Sequence, residues 1–288
     1  MDALNTQRAD QAVDNPVLQA MRRFSTQHGR ELAVGATHWR YYALGQGPAV
    51  LWLTGGLRRA AFGFGFLERL ARAHRVIAPD YPPVMTFREM ADGFDAILHA
   101  EGVSRFDLGG QSYGGLPAQA YLALHPDLID RLVLSSTGPA DYGQLWRLAD
   151  YIGLTAARLL PEARLKRIVG SGLRKILSVP EAERAAWHAT LEHILTNELT
   201  RQDAISHFAV AADVIRTRLV APPSFDRWPG RAIVLTAAND PTQSPSDIPR
   251  YEALFRRRVD VIDMGSLGHT AALVDPDSYV EMLERALS

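Results

Sequence analysis

Short apolar runs, separated by turns and by amphipathic stretches, dominate the chain after about residue 29. Residues 31–35 and 37–43 carry apolar, β-branched and aromatic residues at alternating positions, which predicts two strands joined at Gly35. Residues 48–53 form an unbroken apolar run. Such a run is expected for a strand that is buried on both faces of a mainly parallel sheet.

Strand and helix patterns alternate along the following part of the chain. The further predicted strands cover residues 75–79, 105–109, 132–135, 231–236 and 259–263. The predicted helices cover residues 62–73, 86–101, 114–125, 246–256 and 276–287. This alternation is typical of an α/β fold with helices on both faces of a mostly parallel sheet.

The alternation stops over residues 139–228, where the pattern is helical throughout. An all-helical block between two strands of one sheet predicts a cap, or lid, over the carboxyl ends of the strands, where ligands bind in open α/β sheets. We therefore predict an N-terminal extension over residues 1–28 that contains a short helix. The core is predicted over residues 29–138 and 229–288, and the helical cap over residues 139–228.

Composition and charge exclude several classes of protein. The 31 basic and 32 acidic residues nearly balance, which argues against a nucleic-acid-binding protein. The chain has no cysteine, so disulfides, thiolate metal sites and cysteine nucleophiles are excluded. No secretory signal is visible near Met1, and no apolar run approaches the roughly 20 residues of a membrane-spanning helix. We expect a cytoplasmic protein without an integral membrane segment.

The segment Gly110-Gln111-Ser112-Tyr113-Gly114 fits the pattern G-x-S-x-G. The bare pattern is common, but here it directly follows a predicted strand and opens into a predicted helix. A serine on such a tight turn projects its hydroxyl group, and the helix N-terminus behind it favours developing negative charge. The sequence therefore predicts Ser112 as a nucleophile.

A serine hydroxyl needs a base, and the base must itself be oriented. His269 is the only histidine that follows the last predicted strand, and it lies in a glycine-containing loop before the final helix. His125 is the main alternative for the base, although its position predicts the end of a helix. Asp240 follows the strand 231–236 and is the predicted acid, with Asp141 as the runner-up. The order Ser, Asp, His along the chain favours Asp240.

Two backbone amides are predicted to form an oxyanion hole. One is the N–H of Tyr113, directly after the predicted nucleophile. The other lies in the loop after the strand 48–53 and is assigned to Gly56, with Leu57 as the less favoured alternative. Glycine lets the backbone approach a substrate closely.

Two basic clusters allow more than one interpretation. Arg58 and Arg59 directly follow the predicted oxyanion loop and could hold an anionic substrate group, but a solvated pair at a helix start is favoured. Residues 158–175 carry six basic residues against one acid. A solvated face is again favoured there over a surface that contacts an anionic partner.

Motifs for metals and nucleotides are absent from the sequence. The histidines and carboxylates lack a spacing such as H-E-x-x-H, and the glycine-rich loops match neither G-x-G-x-x-G nor a phosphate-binding G-K-[ST]. We therefore expect neither a metal nor another cofactor.

These motifs resemble the α/β-hydrolase superfamily over roughly residues 30–288. The matching segments are Gly110-Gln111-Ser112-Tyr113-Gly114-Gly115, Asn239-Asp240-Pro241, Gly268-His269 and His125-Pro126-Asp127. The resemblance implies an eight-stranded sheet with its second strand antiparallel, a helical cap after the sixth strand, and no cofactor. One departure is Thr54-Gly55, where many members carry His-Gly before the oxyanion residue.

Thr54-Gly55, together with Asp80-Tyr81-Pro82 and Asp92-Gly93-Phe94, also looks similar to the maspardin branch of this superfamily. Maspardin is regarded as a binding protein that lacks a complete triad, whereas this chain retains His269. We therefore predict a serine esterase that acts on a small-molecule carboxylic ester through Ser112, His269 and Asp240. A lactonase, an amidase or a C–C bond hydrolase with the same triad stays open, as do a non-catalytic binding protein and a homodimer.

Overall fold

The strands form one mixed sheet. The computed structural model describes residues 15–141 and 143–288, so residues 1–14 of the predicted extension lie outside the described residues. The strands are β1 (Gly29–Val34), β2 (Thr37–Leu44), β3 (Ala49–Leu53), β4 (Arg75–Pro79), β5 (Phe106–Gln111), β6 (Ile129–Ser135), β7 (Arg231–Thr236) and β8 (Asp260–Asp263). Their order in the eight-stranded sheet is β1-β2-β4-β3-β5-β6-β7-β8. β2 runs antiparallel to both neighbours and the other pairs are parallel, which confirms the predicted fold class.

The predicted helices are present, most of them with shifted ends, and a short helix over residues 271–274 was not predicted. They are α1 (Pro16–His28), α2 (Phe64–Leu70), α3 (Phe87–Ala100), α4 (Gly115–Leu124), α5 (Gln144–Leu159), α6 (Glu162–Ile176), α7 (Arg184–Asn197), α8 (Arg201–Thr217), α9 (Asp247–Phe255), α10 (Ala271–Val274) and α11 (Pro276–Leu287). α2 is shorter than predicted at both ends, because a 3₁₀ turn, Ala60–Gly63, precedes it and residues 71–73 form turns after it. Glycine weakens a helix, and Gly63 and Gly65 lie where the predicted helix would have had its first turns.

Both faces of the sheet are covered by helices. On one face, Leu51 and Leu53 of β3 belong to an apolar core that includes residues of α3, α4 and α9. On the other face, Val50 and Trp52 belong to a second core that includes residues of α1, α2 and α11. The unbroken apolar run of β3 is thereby explained, because alternate side chains enter opposite cores.

The helices α5 to α8, here called the helical insertion, follow β6 and precede β7. Their own small core joins Leu154 of α5, Leu165 of α6 and Ile205 of α8. Thr270, in the loop after β8, donates to the backbone oxygen of Ser178 at 2.5 Å and accepts from its N–H at 2.7 Å. The helical insertion therefore contacts the core at the carboxyl edge of the sheet.

Helix α1 includes the apolar residues that predicted a short helix near the start of the chain. Asn15 caps it by accepting from the N–H groups of Val17 and Leu18. The Asn15 amide also donates to Ala186 O at 2.9 Å, which links α1 to α7. No helix within residues 15–141 and 143–288 is both long and apolar enough to cross a membrane.

Candidate active site

The predicted site residues lie on loops that leave the same edge of the sheet. Gly56 follows β3, Ser112 follows β5, Asp240 follows β7 and His269 follows β8. Because these strands are parallel, their carboxyl ends meet at one edge, and the four loops converge there.

Ser112 lies on a sharp turn between β5 and α4. Its φ of 53° is in the left-handed region, which costs a residue with a side chain about 1–2 kcal/mol. Gly110 and Gly114 must be glycines because a Cβ atom at either position would collide with backbone atoms. A Cβ on Gly110 would lie 2.6 Å from Gly114 O, and one on Gly114 would lie 2.1 Å from Leu53 O. The motif therefore packs Gly114 against the end of β3, and the Ser112 hydroxyl group faces the loop that carries His269.

A chain of hydrogen bonds joins Ser112, His269 and Asp240. His269 Nε2 lies 2.9 Å from Ser112 Oγ. His269 Nδ1 lies 3.0 and 3.1 Å from the two carboxylate oxygens of Asp240. Both His269 and Asp240 are buried. Burial alone would raise the pKa of Asp240, but hydrogen bonds from His269 and Thr242 hold it below its ordinary value, so the carboxylate stays ionised.

Two residues that sequence analysis missed support this chain. Thr242 donates to Asp240 Oδ1 through both its N–H, at 2.9 Å, and its hydroxyl group, at 2.7 Å. Its hydroxyl oxygen also lies 3.0 Å from His269 Nδ1. Gln111 holds the histidine loop by donating to His269 O at 3.2 Å. Thr242 had a sequence signal, because an Asp commonly accepts from the backbone two residues further on.

The alternative base and acid lie elsewhere. His125 follows the end of α4, a helix of 10 residues that is about 15 Å long and that begins near Ser112. Its Nε2 is 3.5 Å from Asp95 Oδ1. Asp141 accepts from Arg250 Nη2 at 2.5 Å. Neither residue joins the hydrogen-bonded chain.

The loop after β3 packs against the turn that carries Ser112. Arg58 N–H donates to Gly55 O at 2.9 Å, which closes a tight turn around Gly56. A Cβ on Gly55 would lie 2.7 Å from Gln111 Oε1 and 3.4 Å from Ser112 Cβ, so this loop lies close to the turn that carries Ser112. A Cβ on Gly56 would lie 3.9 Å from Tyr113 Cβ. The backbones of Gly56 and Tyr113, the two predicted oxyanion donors, are therefore adjacent.

The expectation that Arg58 is solvated is wrong. Its side chain is almost fully buried, and its Nη2 donates to Pro82 O and to Ser206 Oγ, both at 2.9 Å. Its Nε lies 3.6 Å from the buried carboxylate of Asp203. Ser206 and Asp203 belong to α8, so Arg58 ties the loop after β3 to the helical insertion. Its Nε and Nη1 are buried without a hydrogen-bond partner among the described residues, so this side chain retains donors for a further group.

The second predicted donor is tied to the same helix. The Tyr113 hydroxyl group donates to His207 O at 3.1 Å, and the two rings stack with centroids 3.9 Å apart. Burial, together with the positive charge of Arg58, lowers the pKa of His207 to about 3, so its imidazole is neutral. Burial raises the pKa of Tyr113 to about 12, so its phenol remains a donor.

The ion pairs that the structure defines for the basic segment 158–175 are made with acidic residues of the helical insertion. Lys166 pairs with Glu162 at 3.2 Å, and Arg174 pairs with Glu192 at 3.0 Å. Arg164 and Arg167 are exposed. These contacts agree with a largely solvated face.

A cavity of about 90 Å³ opens beside Ser112 and His269. Its walls are mostly apolar and include Trp52, Phe66 and Leu173. In the described part of the chain, no three His, Asp or Glu side chains form a group that could hold a metal ion. The site thus offers a hydrogen-bonded serine at the edge of an apolar cavity.

The amino-acid sequence matches a known protein family over most of its length. A family model described as the alpha/beta hydrolase fold matches residues 48–276. The matched segment includes every residue of the hydrogen-bonded chain and most of the sheet. The protein therefore belongs to the alpha/beta hydrolase fold family.

Solved structures with this fold cover nearly the whole chain. The enol-lactonase from Burkholderia xenovorans LB400 is 16% identical with a TM-score of 0.68, over 90% of this chain and 99% of that chain. A putative lipase from Acinetobacter baumannii AYE is 16% identical with a TM-score of 0.69, over 94% and 95%. Cfl2 from Burkholderia cenocepacia is 18% identical with a TM-score of 0.71, over 89% and 94%. At these identities the likeness establishes the shared fold alone.

Proposed function

We propose that this protein is a serine hydrolase that cleaves a small-molecule carboxylic ester. The observation that carries the proposal is the continuous hydrogen-bonded chain from Ser112 Oγ through His269 to Asp240, with 2.9 and 3.0 Å links. A nucleophile, a base and a group that orients the base are the parts that acyl transfer requires. Membership in the alpha/beta hydrolase fold family supports the same class of activity.

In the first half-reaction Ser112 Oγ attacks the ester carbonyl carbon while His269 Nε2 takes the hydroxyl proton. Asp240 stabilises the resulting imidazolium, and the N–H groups of Gly56 and Tyr113 donate to the oxyanion. The tetrahedral intermediate then collapses. The alcohol leaves with the proton from His269, and the acyl group remains on Ser112.

In the second half-reaction water attacks the acyl group. His269 takes a proton from the water and returns a proton to Ser112 Oγ as the carboxylic acid leaves. Lactones, amides and some C–C bonds would be cleaved by the same proton transfers, so an ester panel must include a lactone and an amide. The apolar walls beside Ser112 favour an uncharged substrate.

The test is active-site labelling with a fluorophosphonate probe, followed by intact-mass measurement. We expect one adduct on the wild type, none on Ser112→Ala, and one on Ser266→Ala, whose serine lies in the exposed loop before His269. Turnover of p-nitrophenyl acetate should fall by about 10³-fold or more in Ser112→Ala. A wild type that takes no label and cleaves no ester would contradict the proposal and favour a non-catalytic binding protein.

A further inference from the structure

The imidazole of His207 lies against the predicted oxyanion hole. His207 belongs to α8 of the helical insertion, whereas Gly56 and Tyr113 belong to the core. Its ring stacks on the Tyr113 ring with centroids 3.9 Å apart and an interplanar angle of 25°. The backbone oxygen of His207 also accepts from the Tyr113 hydroxyl group at 3.1 Å. These contacts hold the imidazole in place beside the residue that follows Ser112.

The polar edge of this ring faces Gly56. A Cβ on Gly56 would lie 3.5 Å from His207 Cε1, so the ring packs on the side where a side chain at position 56 would begin. Both ring nitrogens of a histidine are bonded to Cε1, and in the neutral form one of them carries a hydrogen-bond donor. The donor of His207 therefore lies at the edge that borders the predicted oxyanion residue.

The ring nitrogens of His207 are open to a ligand. In the part of the chain that the structure describes, no hydrogen bond joins either nitrogen to another residue, and the bond defined for His207 uses its backbone oxygen. The residue is only partly buried, and it lines a cavity of about 240 Å³ that also borders Gly56. A molecule bound beside Gly56 can therefore accept from this ring.

The protonation state of His207 limits what the ring can do. Burial and the positive charge of Arg58 lower its pKa to about 3, so the imidazole is neutral near pH 7. A group with so low a pKa is a poor general base at that pH. A neutral imidazole can still polarise a carbonyl group by donating its N–H. Donation of a hydrogen bond is therefore the chemistry left to this ring.

We propose that His207 is a catalytic residue that supplies a third donor to the oxyanion, beside the N–H groups of Gly56 and Tyr113. This inference rests on the proposed function and adds a residue of the helical insertion to the catalytic machinery. Negative charge develops on the carbonyl oxygen only as Ser112 Oγ attacks, so a donor to that oxygen stabilises the transition state more than the bound ester. Loss of the donor should therefore lower kcat and leave KM nearly unchanged.

Two substitutions separate the N–H donor from the packing of the ring. His207→Phe keeps an aromatic ring to stack on Tyr113 and removes the donor. His207→Gln gives up the ring and keeps an N–H donor. Neither substitution removes the backbone oxygen that accepts from Tyr113. His188→Phe is the matched control, because it makes the same change on α7, which carries none of the predicted site residues.

The assay measures kcat and KM for p-nitrophenyl acetate, and the fluorophosphonate label at completion counts the active enzyme. Removing one oxyanion donor typically lowers kcat by about 10²–10³-fold, and we expect about 100-fold for His207→Phe because two backbone donors remain. His207→Gln should stay within about tenfold of the wild type, and His188→Phe should match it. If packing were the only role of the ring, the order would be reversed, with His207→Phe active and His207→Gln impaired.

A tetrahedral inhibitor gives a second readout. Trifluoroacetone adds to an activated serine as a hemiketal, and the oxygen of this adduct takes the place of the oxyanion. Its Ki should rise in His207→Phe by about the factor by which kcat falls. A labelled His207→Phe with the kcat and Ki of the wild type would overturn the inference and leave the hydrolase proposal intact. A wild type that neither takes the label nor cleaves the ester would refute the hydrolase proposal, and the inference with it.

Discussion

The buried ion pair between Arg58 and Asp203 gives a prediction about stability. Arg58→Met keeps the length of the side chain but removes its charge and its hydrogen bonds to Pro82 O and Ser206 Oγ. Asp203 would then lose a cationic neighbour at 3.6 Å while its carboxylate stayed buried. A buried carboxylate without its partner is strongly destabilising.

The size of the effect follows from what remains around Asp203. Removing one member of a buried ion pair costs about 3–5 kcal/mol. Here Asp203 keeps two hydrogen bonds from Thr200 at 2.8 Å and has Arg59 Nη2 at 3.5 Å. We therefore expect the lower end, about 3 kcal/mol, out of a total free energy of unfolding of about 5–15 kcal/mol.

Urea denaturation at pH 7.5 measures this loss directly. Arg59→Met is the matched control, because its side chain is 16% exposed and it lies beside the same carboxylate, and it should lose about 1 kcal/mol. The double variant Arg58→Met/Asp203→Asn should be no less stable than Arg58→Met alone, since the unpaired charge is gone. A loss below 1 kcal/mol in Arg58→Met, or additive losses in the double variant, would refute this account.

Two further predictions concern Thr242 and Asp80. Thr242→Val removes the 2.7 Å hydrogen bond to the carboxylate that orients His269 and should lower kcat/KM for p-nitrophenyl acetate about tenfold. Thr242→Ser should keep most of the activity. Equal kinetics for Thr242→Val and wild type would contradict this role. Burial raises the pKa of Asp80 from 3.8 to about 6, because the folded protein favours the neutral carboxyl group. The contribution of this group to the free energy of unfolding is therefore fully present below pH 3.8 and is lost as the pH rises through about 6. Relative to wild type, Asp80→Asn should therefore gain about 2 kcal/mol in free energy of unfolding between pH 4 and pH 7, and parallel pH profiles for the two proteins would be the opposing result.

Local sequence signals predicted much of the fold and the candidate site. The unbroken apolar run of β3 indicated that helices cover both faces of the sheet, because the side chains that point to either face are apolar. The sharp turn at Ser112 could be predicted because the glycines that it requires, Gly110 and Gly114, lie within five consecutive residues. His269 and Asp240 were predicted from chain order and from loops that follow strands, and the structure brings both into hydrogen-bonding distance of each other.

The residues that sequence analysis missed depend on contacts between distant parts of the chain. Arg58 appeared to be a surface residue, because Asp203 and Ser206 lie about 150 residues away and no local pattern couples them. The neutral state of His207 likewise follows from burial against Tyr113 and from the charge of Arg58.

Asn15, the N-terminal capping residue of α1, depends on a partner that is synthesised much later than α1 itself. Asn15 donates to Ala186 O across 171 residues, and Val17 belongs to an apolar cluster with Trp187 and Leu273. At about 5–20 residues per second, roughly 10–35 s separate the emergence of Asn15 from that of its partner on α7. During that interval one end of α1 presents apolar surface to water on the nascent chain. The native packing of the first described helix is therefore completed only after Leu273 has left the ribosome.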